Sequence, residues 1–173
     1  MTRRTIFKRA GSAHAARLLQ SVFACEYVAP SSLVTIVSPW ISDMPLLDNR
    51  AGGFQGLQPD WPAVHVPLSG VLIGLAERGV EVRVLTRPRD STPMLDKLRA
   101  LAEARSAPLF VRTGELTLHA KGIAGDHYRI LGSMNLTTSG VMFNDEQLEY
   151  SSDPEDVAEA RRNFDELWRA ATQ

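Results

Sequence analysis

An imidazole and an ammonium stand two positions apart at His119-Ala120-Lys121, and the run Gly132-Ser133-Met134-Asn135 follows close behind. In an extended chain, residues i and i+2 point to one face, about 7 Å apart. The segment Leu116–Ile123 reads as a strand, so His119 and Lys121 are expected on one wall of a pocket. A neutral imidazole nitrogen can attack phosphorus, and the covalent intermediate divides one difficult displacement into two easier ones. A fixed ammonium beside it offsets charge building on the phosphoryl oxygens. The pair therefore points to phosphoryl transfer.

The neighbouring elements complete an anion site. Tyr128–Leu131 reads as a short strand, Gly132-Ser133 as its tight exit, and Leu136–Gly140 as a helical turn. Ser133 and Asn135 then fall at a helix start, where free backbone N–H groups and the helix dipole favour anions. Their side chains add a hydroxyl and an amide donor. Metal chemistry has no comparable support: His119 and His127 lie on different strands without a third ligand, and His14 and His65 are isolated. Neither metal nor cofactor is expected.

These residues resemble the phospholipase D superfamily, whose HKD signature runs H-x-K, four residues, D, six residues, G-S-x-N. His119-x-Lys121, four residues and Asp126 match it, whereas five residues separate Asp126 from Gly132, read as a tighter hairpin. Leu33–Trp40 looks like the family's first strand and Val71–Thr86 like its helix and second strand. With the C-terminal helix, the resemblance covers the chain from about residue 33 onward. It implies that His119, Lys121, Ser133 and Asn135 are catalytic and that Asp126 and Gly132 shape the motif. It also implies an acid downstream of the asparagine that orients the histidine; Glu146 in Asn144-Asp145-Glu146 resembles it, with Glu149 as the fallback.

The family's pocket resembles a two-fold site built from two motifs, and this chain has one. A homodimer with an isologous interface is therefore expected. Small single-motif members resemble nucleases, including nuclease subunits of bacterial restriction and anti-phage systems. The resemblance thus implies a metal-independent phosphodiesterase that cleaves nucleic acid, DNA ahead of RNA, through a phosphohistidine. Two alternatives stay open: a phospholipid hydrolase or phosphatidyl transferase, and a nucleic-acid-binding subunit of a defence complex that is inactive alone.

The elements that must position these groups can be read along the chain. With 173 residues, 44% hydrophobic and 23% charged, residues 1–173 are expected to form one domain around one core. Ser12 reads as the cap of a helix with Ala15, Leu18, Leu19, Val22 and Phe23 on one face. Val80–Leu85 alternates and is β-branched, hence a strand, and Gly79 ends the helix before it. Thr92–Ala104 reads as an amphipathic helix, Leu109–Arg112 and Gln147–Tyr150 as strands, and Asp153-Pro154 as the start of a terminal helix. The order predicts an α/β fold, a mixed β-sheet flanked by helices on both faces.

Residues 39–67, with Pro39, Pro45, Pro59, Pro62 and Pro67, read as a long irregular loop. Its aromatics, Trp40, Phe54 and Trp61, are expected to pack rather than stack on bases, because Asp43, Asp48 and Asp60 outnumber Arg50. Trp40 is kept as a substrate contact together with Arg87 and Arg89, which follow a strand whose carboxyl end opens toward the site.

With a net charge of −1, bulk electrostatics do not announce a nucleic-acid binder. Charge is uneven, however: Arg3, Arg4, Lys8, Arg9 and Arg17 precede the first acid, Glu26. Residues 1–11 read as a basic, solvated arm, with phosphate contact as the other reading. The single cysteine, Cys25, reads as a buried thiol. Thr2–Lys8 looks like a twin-arginine motif, but Arg9, His14 and Arg17 break the apolar stretch an export signal needs. A cytoplasmic location is expected, with no transmembrane segment of about 18 to 20 apolar residues.

Overall fold

The structure is a computed structural model that describes residues 2–87 and 92–171. Nine strands are described: β1 (Arg3–Lys8), β2 (Leu33–Val37), β3 (Pro45–Asp48), β4 (His65–Pro67), β5 (Glu81–Thr86), β6 (Leu109–Thr113), β7 (Gly122–Ala124), β8 (Arg129–Gly132) and β9 (Glu146–Ser151). Four α-helices join them: α1 (His14–Val28), α2 (Leu68–Glu77), α3 (Thr92–Arg105) and α4 (Pro154–Ala170). A π-helical turn, Ser139–Phe143, precedes β9.

Seven strands form one mixed sheet in the order β1-β9-β8-β7-β2-β5-β6. β2, β5 and β6 run parallel, while β7, β8, β9 and β1 pair antiparallel. Strand alternation sends Val34, Ile36, Val82 and Val84 to one core with α1, α2 and α3. Val37, Leu85 and Ala124 point the other way, against Ala160, Phe164 and Trp168 of α4. The result is the expected α/β architecture of a mixed sheet with helices on both faces.

Why these segments adopt these forms is largely local. α2 is apolar nearly all round because it is buried, with Val71, Leu72 and Leu75 fully enclosed. α4 begins where Asp153 accepts a hydrogen bond from the Glu155 amide at 3.0 Å, with Pro154 in the first turn. Glu155 and Asp156 in that turn complement the helix dipole.

Several expectations need correction. Residues 1–11 are not a free arm: Arg3–Lys8 forms the edge strand β1, in register with Ser151–Glu146 of β9. Its alternation buries Lys8, which is 2% exposed, and half-buries Ile6. Residues 39–67 are not wholly irregular, since β3 and β4 pair as a two-stranded antiparallel sheet. Ser12 does not cap α1, whose first flanking residue is Ala13 without a side-chain cap. Cys25 is exposed, because the stripe that turns inward carries Val22, Phe23, Glu26 and Tyr27 instead. The predicted strand Leu116–Ile123 shrinks to Gly122–Ala124, and the predicted turn Leu136–Gly140 is displaced into the π-helical turn.

Among the aromatics of 39–67, Trp61 is buried and meets Tyr27 edge to face at 4.8 Å, a contact worth about 0.5–1.5 kcal/mol beyond its area. Phe54 packs on the same core. Trp40 alone of the three stays 40% exposed.

Candidate active site at the carboxyl end of the sheet

The parallel strands β2 and β5 end at Val37 and Thr86, and β7 starts beside them at Gly122. β8 ends at Gly132, and β9 starts at Glu146, opposite Lys8. One end of the sheet therefore gathers the segments carrying Trp40, Arg87, His119, Lys121, Ser133, Asn135 and Glu146. This is where ligands bind in open α/β sheets.

His119 and Lys121 sit in the irregular lead into β7 rather than within a strand, but they still meet. The Lys121 ammonium donates to the His119 carbonyl at 2.8 Å and lies 3.4 Å from Nδ1 of its ring. His119 is exposed, whereas Lys121 is buried. Burial pushes the Lys121 ammonium below its ordinary value, the Arg87 charge adds to this, and Glu146 opposes it. Gly122, next in the chain, has no room for a side chain. A Cβ there would strike the Ile130 carbonyl and come within 2.9 Å of the Phe164 ring, so α4 packs tightly behind the pair.

Ser133 and Glu146 face each other across β8 and β9. The Ser133 hydroxyl donates to the Glu146 carboxylate and accepts from the Gln147 amide at 3.0 Å. The Asn144 side chain also approaches Glu146, at 3.4 Å. Glu146 makes no hydrogen bond to His119 in the single chain, so the orienting contact implied by the resemblance is not formed there. Gly132 holds this crossing close: a Cβ would collide with the Gln147 carbonyl, and the Ser133 amide donates to that same oxygen at 3.0 Å. Asn135 is half-buried and its side-chain oxygen is enclosed without a hydrogen-bond partner.

Arg87 is fixed from two sides. Its Nε donates to the Leu118 carbonyl at 2.7 Å, one residue before His119, and its guanidinium lies 5.3 Å from the centre of the Trp40 ring. Arg89 lies outside the described residues. Glu149, the fallback acid, is held away from this end in an ion pair with Arg129.

Asp126 is at the other end of β7. It accepts from the Ser32 amide at 2.6 Å and the Ser32 hydroxyl at 3.0 Å, and pairs with Arg161 of α4. Its own amide donates to the Ser31 hydroxyl. These contacts staple the β7–β8 turn to the start of β2 and to α4, and hold its carboxylate below the usual range.

One residue at the site escaped the reading of the sequence. The buried Lys8 ammonium donates to the Asn144 carbonyl, underneath Glu146. The alternation Arg4-Thr5-Ile6-Phe7-Lys8 is the only signal for it, and a lysine at an inward position runs against the usual pattern.

Two open clefts border these groups. One, about 320 Å³, includes Leu118, His119 and Ala120; the other, about 460 Å³, includes Gly132, Ser133 and Gln147. Among the described residues no group of three or more His, Cys, Asp or Glu side chains converges on a common point. No described helix is long and apolar enough to cross a membrane.

Comparison with solved structures finds the same fold in Nuc from Salmonella typhimurium, a phospholipase D family member, at a TM-score of 0.66 and 14% identity. That alignment covers 99% of this chain and 96% of the other. NucT from Helicobacter pylori aligns at a TM-score of 0.65 and 14% identity, over 99% of this chain and 98% of the other. Phosphatidylserine synthase from Haemophilus influenzae aligns at 0.64 and 17%, over 98% of this chain but 39% of the other. None of the curated proteins matches the chain significantly in sequence. The family model for the cardiolipin synthase phospholipase D-like domain matches residues 61–168, more than half of the chain and all of its histidine-lysine motif, and the chain therefore belongs to the phospholipase D superfamily.

Proposed function

We propose that the protein is a nuclease, a metal-independent phosphodiesterase whose site is completed by a second copy of the chain. Membership of the superfamily supports chemistry at a phosphodiester. The observation that carries the nucleic-acid reading is the placement of an exposed indole backed by a guanidinium, Trp40 and Arg87, beside His119 and Lys121. A base has a flat face to lay on such a ring, which a lipid headgroup lacks.

In the proposed reaction an imidazole nitrogen of His119 attacks phosphorus. A P–N bond forms, the P–O bond to the leaving group breaks, and His119 of the second copy protonates the departing oxygen. That second imidazole then takes a proton from water as the water attacks the phosphohistidine, which restores both histidines. Lys121 and Asn135 hold the non-bridging oxygens, assisted by Ser133. Glu146 fixes the tautomer by accepting from the imidazole's other nitrogen. In the lone chain that nitrogen faces the Lys121 ammonium, a group with donors only, so it must accept there. The contact is long, and a phosphoryl oxygen that engages Lys121 removes it at little cost. Nδ1 then carries the ring proton and donates a hydrogen bond to Glu146, which leaves Nε2 unprotonated to attack.

The likeness in fold to Nuc and NucT along nearly their whole lengths supports the nuclease reading over the lipid one. A phospholipid substrate is the second reading, favoured by the synthase description of the family model and by the synthase among the similar folds. Purified protein incubated in EDTA with single-stranded DNA, duplex DNA, RNA and phosphatidylcholine vesicles separates the two. Cleavage of nucleic acid, lost by at least about a thousandfold in His119→Ala, is the expected result. Turnover of lipid alone sinks the nuclease reading.

A further inference from the structure

Resting on the nucleic-acid reading of the site, we infer that a groove between β1 and α1 is a track for a single strand of nucleic acid leading away from His119. The groove, about 600 Å³, is lined by Arg4, Phe7, His14 and Arg17 among others, and none of its lining residues is acidic. Arg4, His14 and Arg17 are all exposed. Neither Arg4 nor Arg17 makes an ion pair with any described residue, although the chain as a whole carries one more acid than base. Several other arginines are neutralised, Arg3 by Asp156, Arg83 by Glu81 and Asp165, Arg161 by Asp126, while exposed Arg9 and Arg162, like Arg4 and Arg17, form no ion pair among the described residues but do not line this groove. A pair of unneutralised guanidiniums is thus concentrated in one groove, which suits a row of phosphates.

The geometry joins this groove to the site. Lys8 stands in register with Glu146, and the strand runs back from there to Arg4, which places Arg4 about 13 Å from the Lys8–Glu146 pair along β1. His14 and Arg17 are one helical turn apart at the start of α1, and the turn between β1 and α1 is tied to the site by Gly11, whose amide donates to the Met142 carbonyl at 2.9 Å. A strand leaving His119 past Glu146 therefore meets Lys8's end of β1 first and Arg4 last. Phe7, 72% exposed, lines the rim of the groove, where its ring is open to a stacked base, a contact that is indifferent to base identity. Guanidiniums for the backbone and one ring for the bases select a flexible single strand over a rigid duplex, whose bases are already stacked.

The test is binding of a labelled single-stranded DNA of mixed sequence, measured by anisotropy across a salt series with His119→Ala as the parent protein, so that cleavage plays no part. The double reversal Arg4→Glu/Arg17→Glu should weaken binding about tenfold or more and make the salt dependence shallower by about 1.4 in slope, two single-strand phosphate contacts' worth. Phe7→Ala should weaken binding with the slope unchanged. Arg162→Glu, an exposed reversal on α4 across the sheet, should leave affinity where it was. If the double reversal fails to fold, Arg4→Gln/Arg17→Gln must show the same direction. Unchanged affinity in the groove variants, or equal loss in Arg162→Glu, overturns the track. The outcomes also separate the two readings: cleavage of nucleic acid without groove dependence removes only the track. Groove-dependent binding by a wild-type chain that cuts nothing removes the nuclease and keeps the track.

Discussion

At the scale of single residues, the site turns on how Lys121 is charged. Its ammonium is depressed first by burial and then by Arg87, so it surrenders its proton below the ordinary lysine value of 10.5. If protonated Lys121 holds the phosphoryl oxygens, the alkaline fall of kcat/KM should begin below that value. Removing the like charge in Arg87→Ala should move the fall to higher pH while weakening substrate binding. A pH profile of both proteins on a nucleic-acid substrate checks this, and an identical alkaline limb would disconnect Arg87 from Lys121. The histidine-lysine pair was legible because chain spacing alone brings i and i+2 together. The contact of Arg87 with the Leu118 carbonyl was not, since it joins positions 31 apart through two loops. Lys8 was illegible for a different reason: burial of an ammonium depends on finding a backbone carbonyl, here that of Asn144, far along the sequence.

At the scale of elements, the fold was most legible where neighbours in sequence are neighbours in space. The α2–β5 unit and the capped start of α4 are of this kind. β1 was missed because its partner is β9, on the far side of the chain, and because an exposed edge strand rich in arginine looks like a tail. What fixes β1 is chemical as well as steric. Asp156 at the start of α4 receives hydrogen bonds from Arg3 of β1 and Ser151 of β9, and pairs with Arg129 of β8. Arg3, then Ser151, and the Arg129 charge hold its carboxyl down at about 2, below its ordinary 3.8. A depressed carboxyl contributes its stability in full above the unfolded value and loses it as pH falls through the folded one. Urea unfolding should therefore show a loss between about pH 4 and pH 2 that is absent in Asp156→Asn, which should be less stable at neutral pH. Parallel curves for the two proteins would mean that Asp156 does not tie the edge strand down.

For the whole molecule, the sheet is covered unequally. α1, α2 and α3 fill one face, while α4 covers the other over β2, β7 and β8. Beyond α4, the outer part of that face along β8 and β9 is left as the open cleft beside Ser133. Met142 and Phe143, 41% and 63% exposed, stand just before Glu146 in the chain. An exposed histidine with one ammonium, open sheet and exposed apolar side chains nearby together support the proposal that a second copy closes the site. Sedimentation under assay conditions should find activity in a species of two chains, falling on dilution as that species dissociates. Full activity in a single chain would end the shared-site proposal. In the sequence the proposed second copy rests on arithmetic alone, one motif where the family's pocket is built from two, because a surface that would meet its own copy leaves no periodic signal.

The staple at Asp126 has a consequence for how such a protein is dissected. β7 is three residues long, so whatever anchors one end of it also sets the aim of the other. Loosening the grip of Ser31, Ser32 and Arg161 would tilt His119 without touching any reacting atom. A survey that scored turnover alone would therefore file a girder among the moving parts, and only a parallel measure of rigidity would return Asp126 to its proper class.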